Sequence, residues 1–210
     1  MSLTLVIGDK TYSSWSLRAA LALELTGAAY SEQLIALYQA DTRAQILRYS
    51  PTGKVPLLIS DDGAIWDSLA IAEYLAERFP AAQLWPQARA ARALARSACA
   101  EMHSGFLALR THMPMDLKRN QALAAIPADA LADIHRVCEL WAESRQRFAQ
   151  DGAFLFGLPS IADAFFAPVA ARLRSYQVAL PAEAGAYVET IYQWPAFQRW
   201  FQAAQEEQLA

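Results

Sequence analysis

Tyr12, Ser13 and Ser14 stand side by side in the stretch GDKTYSSWSLRAALALEL, with Ser16 close behind, at the head of an apolar, alanine-rich run. One serine is enough to cap a helix, because its oxygen accepts an N–H group left unpaired in the first turn. The remaining hydroxyls are then spare donors at a helix N-terminus, where the aligned peptide dipoles favour an anion. A second cluster is WDSLAIAEYL, in which Asp67 and Ser68 open another helical stripe. Either residue can be a simple cap. A hydroxyl with free N–H groups also suits a carboxylate, and a neighbouring Asp suits an ammonium, so the pair fits the two charges of an amino-acid end. The third cluster is GKVPLL, Gly53 to Leu58, where Pro56 heads an apolar strand although it cannot donate to a ladder. One reading of Pro56 is an edge residue after a turn. Alternatively the Val55–Pro56 bond is cis and Val55 offers its N–H and C=O to an extended peptide.

These residues need a scaffold, and the pattern of the first 80 residues supplies one. Leu3–Ile7 reads as a buried strand and Ser14–Leu25 as a helix stopped by Gly27. Tyr30–Ile35 reads as a second strand, and Thr42–Tyr49 as a short helix ended by Ser50-Pro51. VPLLISDDGAIW gives two strands joined by Asp62-Gly63, a two-residue hairpin turn. Ile71, Tyr74, Leu75 and Phe79 then mark one face of a helix. The order is β-α-β-α-β-β-α, with parallel pairing at the front and one antiparallel hairpin. Residues 81–86 form a proline-bearing linker, and no strand is evident beyond it. Ala88–Leu109 reads as one long helix. Leu131, Ile134, Cys138 and Trp141 mark a face of another, PSIADAFFAPVAARLRSY begins a third, and Phe197, Trp200, Phe201 and Ala204 mark a last one packed on the bundle. The expected fold class is α/β plus all-α: a domain over residues 1–80 and an all-helical bundle over residues 87–210.

Composition narrows the function classes. The chain has 210 residues, of which 55% are hydrophobic and 19% charged, which excludes disorder. A net charge of −3 argues against nucleic acid or an anionic membrane as partner. No apolar run approaches the roughly 18 residues of a membrane span, and the start, MSLTLVIGDKTY, reads as a strand rather than a signal peptide. Cys99 and Cys138 form no C-x-x-C, and His103, His112 and His135 lack zinc-site spacing, so a reducing cytoplasm without a structural metal is expected.

The β-α-β-α-β-β-α half, GKVPLL, DSLAIAEYL eleven residues after the proline, and the helical half in that order resemble the glutathione transferase superfamily over nearly the whole chain. Ser160 and Asp163 in PSIADAFFAP add an S-x-x-D capping box of the kind that superfamily carries in its helical core. The resemblance implies a thioredoxin-like first half that binds glutathione. It assigns the γ-glutamyl end to Asp67 and Ser68, the cysteinyl backbone to Val55 with Pro56 cis, and the glycyl carboxylate to Lys54. Asp67 is one methylene shorter than the Glu most common there.

Glutathione placed in this way brings its sulfur to KTYSSWSLR. SSWSLR resembles the Ser–Ser–x–x–x–Arg pattern of zeta-type relatives, with Arg18 as the helix-opening arginine, an ion-pair partner in this reading. The implied thiol-activating residue is Ser14, with Ser13 next and Tyr12 as rival; Trp15 and Ser16 read as packing and surface. The loop holds no Cys, which disfavours the redox chemistry of cysteine-type relatives. Met102, His103, Phe106, Leu109, Arg110 and Met113 read mostly as helix packing, with His103 and Arg110 able to face a second, electrophilic substrate. Three functions compete: conjugation of glutathione to a small electrophile, glutathione-dependent cis–trans isomerisation of a maleyl-type diacid, and a non-catalytic binding module. A homodimer is expected from the resemblance.

Overall fold

The computed structural model describes residues 3–150 and 152–208. Its first half holds β1 (Leu3–Gly8), α1 (Ser14–Glu24), β2 (Tyr30–Ile35), α2 (Thr42–Leu47), β3 (Leu57–Ser60), β4 (Gly63–Ile65) and α3 (Ser68–Arg78). The sheet runs β2-β1-β3-β4, with β1 parallel to β2 and the other two pairings antiparallel. β1 is buried on both faces, as a central strand covered by helices must be. Leu3, Leu5 and Ile7 join the main core with α1 and α3, while Val6 packs the opposite way with Ile35, Ile46 and Leu57. The element order is the one expected from the pattern, in the thioredoxin-like arrangement that the resemblance implies, and among the described residues only helices and two isolated β-bridges follow it.

The hairpin turn differs by one residue from expectation. Ser60 pairs with Gly63, so the two-residue loop is Asp61-Asp62 and Gly63 opens β4 at φ 111°. The left-handed backbone at that first strand residue is where glycine is needed.

The helical half comprises α4 (Arg89–Ser104), α5 (Leu107–His112), α6 (Ala128–Phe148), α7 (Ile161–Ser175), α8 (Ala182–Gln193) and α9 (Pro195–Glu206). The single helix expected over Ala88–Leu109 is broken at Gly105-Phe106. Gly105 packs so tightly that a Cβ there would sit 2.7 Å from the Glu101 carbonyl oxygen, and Phe106 takes φ 54°. The buried face of α6 is also rotated: Ala130, Ile134, Val137 and Trp141 point inward, while Leu131 is exposed and Cys138 half-buried.

At the centre lies α7, almost entirely buried and packed against α1, α4 and α8. Its N-terminus carries the expected capping box. Asp163 accepts from the Ser160 N–H and Oγ at 2.9 Å, and also from the Leu155 N–H and the Tyr187 hydroxyl. Among the described residues no helix is long and apolar enough to cross a membrane.

Candidate functional site

A cleft of about 650 Å³ opens between the C-terminal end of β1, the β3 entry, the α3 N-terminus and α4. That volume lies in the range of small-molecule sites. Tyr12, Ser13, Ser14, Lys54, Val55, Pro56, Asp67, Ser68 and His103 all line it. Trp15, read from the sequence as packing, also lines it, as do Leu37, Ile46, Thr52 and two residues the sequence did not single out, Tyr38 and Trp66, which are 83% and 45% exposed. Arg110 is not in the lining: its guanidinium reaches the Gly105 carbonyl, bracing the α4–α5 break, and lies 5.3 Å from the Trp15 ring.

The hydroxyls at the head of α1 have different surroundings. Ser13 is the cap of α1: its Oγ accepts from the Ser16 N–H at 3.3 Å and donates to Ser16 Oγ at 2.7 Å. Its only O–H hydrogen is therefore spent inside the protein. Ser16 is fully buried rather than surface, and its Oγ also accepts from the Gly8 N–H at 3.1 Å. Ser14 is the first residue of α1, and its Oγ accepts from Arg172 Nη2 at 3.2 Å. Among the described residues no acceptor takes the Ser14 hydroxyl hydrogen. Tyr12 packs edge-on against Tyr38, and burial, with the nearby carboxylates of Asp116, Asp9 and Glu207, raises its phenol pKa. It stays a neutral O–H donor at physiological pH.

Across the cleft, the Val55–Pro56 bond is cis, so of the two geometries left open at Pro56 the second is found; Trp66–Asp67 is cis as well. Val55 lies beyond the β1–β3 ladder, which closes at Val6↔Leu57, so the sheet does not use its N–H and C=O. Asp67 caps α3, its Oδ1 accepting from the Leu69 and Ala70 N–H groups. Its Oδ2 faces His103 Nε2 at 2.9 Å, which links the first half to α4. The Ser68 hydroxyl is buried with no hydrogen-bond partner among the described residues, as is His103 Nδ1.

Two supports of the site escaped sequence reasoning. The loop before α1 is held from the far end of the chain. Glu207 accepts from the Lys10 and Thr11 N–H groups at 2.9 Å and from the Thr11 hydroxyl at 2.8 Å, and Trp200 Nε1 donates to the Lys10 carbonyl. So α9 packs on the first half as well as on the bundle. Arg172 is the other support. It stands seven residues after Phe165 and three after Val169 on the buried stripe of α7, and a cation on an apolar stripe was its only visible signal.

Among the described residues Arg18 has no ion pair, contrary to expectation. It is fully buried, its three guanidinium nitrogens lack hydrogen-bond partners among the described residues, and it stacks on Trp15 at 4.4 Å and Phe165 at 5.2 Å. Burial, with the charges of Arg172 and Arg110, lowers its pKa to about 9, so it remains a cation at neutral pH. The floor behind the hydroxyl loop is thus positively charged. Among the described residues no group of three or more His, Cys, Asp or Glu is placed to hold a metal ion.

Residues 12–78 match the family model described as glutathione S-transferase, N-terminal domain. Glutathione S-transferase 1 of Dianthus caryophyllus is 39% identical over 83 residues, which is 39% of this chain and 38% of that protein. A probable maleylacetoacetate isomerase of Caenorhabditis elegans is 34% identical over 94 residues, 45% of this chain and 44% of that protein. The matches thus span less than half the length of these relatives. The crystal structure of a Burkholderia glutathione transferase homolog with bound glutathione superposes on 98% of this chain and 99% of its own, at 26% identity and a TM-score of 0.72.

Proposed function

We propose that the chain is a member of the glutathione S-transferase superfamily that binds glutathione in the cleft between Ser14 and Ser68 and activates the thiol for attack on a small electrophile. The carrying observation is the Ser14 hydroxyl: it sits at the N-terminus of α1, lines the cleft, and keeps its hydrogen available. Lowering a thiol pKa from about 8.5 by two units takes roughly 2.7 kcal/mol of preferential thiolate stabilisation. A hydrogen bond to a charged partner contributes about 1.5–3 kcal/mol and the helix terminus about 0.3–1, so one donor and the helix suffice. The thiol proton leaves to solvent, and no general base is required.

In this reading the tripeptide lies antiparallel to the free Val55 backbone. The unpaired Ser68 hydroxyl and the α3 N-terminus take the γ-glutamyl carboxylate, and Asp67 takes its ammonium. Lys54 takes the glycyl carboxylate. The sulfur then forms a carbon–sulfur bond while the electrophile's leaving group departs with its electron pair. Residues 1–80 supply the glutathione site and 87–210 the second substrate's wall, where His103 meets the cleft. The superfamily's habit supports a homodimer, and the two unpaired cysteines suit a reducing, cytoplasmic setting.

A second reading rests on the same thiolate. The likeness to the Caenorhabditis elegans protein favours addition of the sulfur to the double bond of a maleyl-type diacid, rotation about the resulting single bond, and expulsion of the sulfur. Calorimetry with glutathione tests the shared site; no measurable heat removes both readings. Turnover of a chlorinated nitroaromatic against isomerisation of maleylpyruvate or maleylacetoacetate then separates them.

A further inference from the structure

Arg172 is a buried cation that the sheet half and the thiol chemistry described above leave unexplained. Its Nε donates to the Met113 carbonyl at 2.9 Å, its Nη1 to the Pro168 carbonyl at 3.1 Å and its Nη2 to Ser14 Oγ at 3.2 Å. It is 4% exposed, and no carboxylate pairs with it among the described residues. Stability alone does not call for such a group, because a buried charge without a counter-ion is expensive and an apolar residue would pack there instead.

We propose that Arg172 is a positioning residue that holds the Ser14 hydroxyl as a hydrogen-bond donor directed into the cleft and polarises it toward an anion; this rests on the glutathione reading above. A guanidinium has only donors, so the Ser14 oxygen must accept from it. A hydroxyl that accepts along one lone pair has its single hydrogen left for another direction, and the open direction is the cleft that Ser14 lines. Among the described residues nothing else fixes that rotor. The carbonyls of Met113 and Pro168 fix the guanidinium in turn, so the hydroxyl inherits the rigidity of α7.

The charges around Arg172 reinforce the same preference. Arg18 on α1 and Arg110 on α5 are cations, the Tyr176 phenol at the end of α7 is neutral at physiological pH, and Cys99 of α4 is a buried thiol with a raised pKa. The carboxylates that act on its two cationic neighbours, Asp67 on Arg18 and Asp133 on Arg110, are engaged by His103 and by the Leu109 N–H. Arg172 remains protonated, since burial and Arg110 bring it down only to about 10. A thiolate bound at Ser14 is therefore a missing counter-ion to a buried guanidinium, one hydroxyl away.

A hydrogen bond drawing on an ionised group is roughly twice as strong as a neutral one, so losing the guanidinium should raise the bound thiol's pKa by about one, from about 6.5, and cut the thiolate at pH 7 by about threefold. The test compares wild type with Arg172→Met, Arg172→Lys, Ser14→Ala and the Ser14→Ala/Arg172→Met double variant. Bound thiolate is read from its ultraviolet absorbance against pH, and S-methylglutathione, which cannot ionise, reports binding alone. The expected result is a thiol pKa raised by Arg172→Met, partly restored by Arg172→Lys, with S-methylglutathione affinity within about twofold, and no further rise when Arg172→Met is added to Ser14→Ala. An unchanged thiol pKa in Arg172→Met, or an equal rise in the Ser14→Ala background, overturns the assignment. Should the Met variant not fold, the wild-type Arg172 side-chain N–H resonance decides: it should move with glutathione and not with S-methylglutathione, and an identical response to both overturns it. A wild-type protein that leaves the thiol pKa of bound glutathione unshifted overturns the glutathione reading itself, before any variant is compared.

Discussion

Ser14→Ala and Ser13→Ala should part company, although the two serines are neighbours with the same hydroxyl. Ser14→Ala removes the proposed donor to the sulfur, worth about 1.5–3 kcal/mol with a charged partner, or roughly one to two pH units of thiol acidity. A thiol at about 6.5 is mostly ionised at pH 7, whereas one returned to about 8 is roughly 10% ionised, so kcat/KM at pH 7 should fall by close to tenfold. The deficit should close by about pH 9.5, where both thiols are ionised. The substitution also strips Arg172 Nη2 of its acceptor, costing about 1–3 kcal/mol of stability, so the assay belongs well below the unfolding temperature. Ser13→Ala loses the cap on the Ser16 N–H and the link to Ser16 Oγ. It should cost about 0.5–2 kcal/mol in urea unfolding and leave the thiol pKa in place. Full turnover in Ser14→Ala at pH 7, with Tyr12→Phe inactive, would refute the assignment of the hydroxyl.

Three other substitutions probe the supports. Asp163 is pushed up to about 6 from 3.8 chiefly by burial, so its share of stability is fully present below 3.8 and is lost as pH rises through about 6. Asp163→Asn should remove that falling slope from the stability–pH curve and, by leaving a donor where two groups donate, lower stability at neutral pH by more than about 2 kcal/mol. Arg18→Met replaces a buried cation lacking hydrogen bonds with an apolar side chain and should leave urea stability equal or higher; a loss above about 2 kcal/mol would contradict its description as uncompensated. Glu207→Ala releases the Lys10 and Thr11 N–H groups and the Thr11 hydroxyl. Calorimetry should show glutathione affinity reduced by about two- to tenfold through the loosened loop, and wild-type affinity would remove the tether's role.

The first half was legible because its signals are local. Short apolar runs mark β1 and β3, the Asp61-Asp62-Gly63 run forces a turn, and Asp67 opens α3 with a cap whose residue type says so. The capping box at Ser160 and Asp163 was legible for the same reason. The breaks in the helical half were not. Gly105 interrupts a pattern whose apolar spacing continues to Leu109, and only the approach of Glu101's carbonyl shows why a glycine stands there. The segment of α8 mixes Ala and Glu with Gly185 and the β-branched Val188, Thr190 and Ile191, which blurs its helical signal, and the helix is fixed by burial of Tyr187 against Asp163 and Trp141. Of the candidate site, Ser14, Val55, Asp67 and Ser68 were singled out from residue type and the family resemblance, and the fold brings them to one cleft. Arg172 and Glu207 could not, because they stand 158 and 196 residues from the Ser14 and Thr11 they contact. Pairings of that kind belong to tertiary structure alone.

A crystal structure with glutathione bound tests the central claim most directly. The account places the sulfur within hydrogen-bond reach of Ser14 Oγ, with Arg172 still donating to that oxygen from behind and the cysteinyl backbone paired to Val55. A sulfur lying out of contact with residues 12 to 14, or a Ser14 hydroxyl turned away from the cleft, would contradict it.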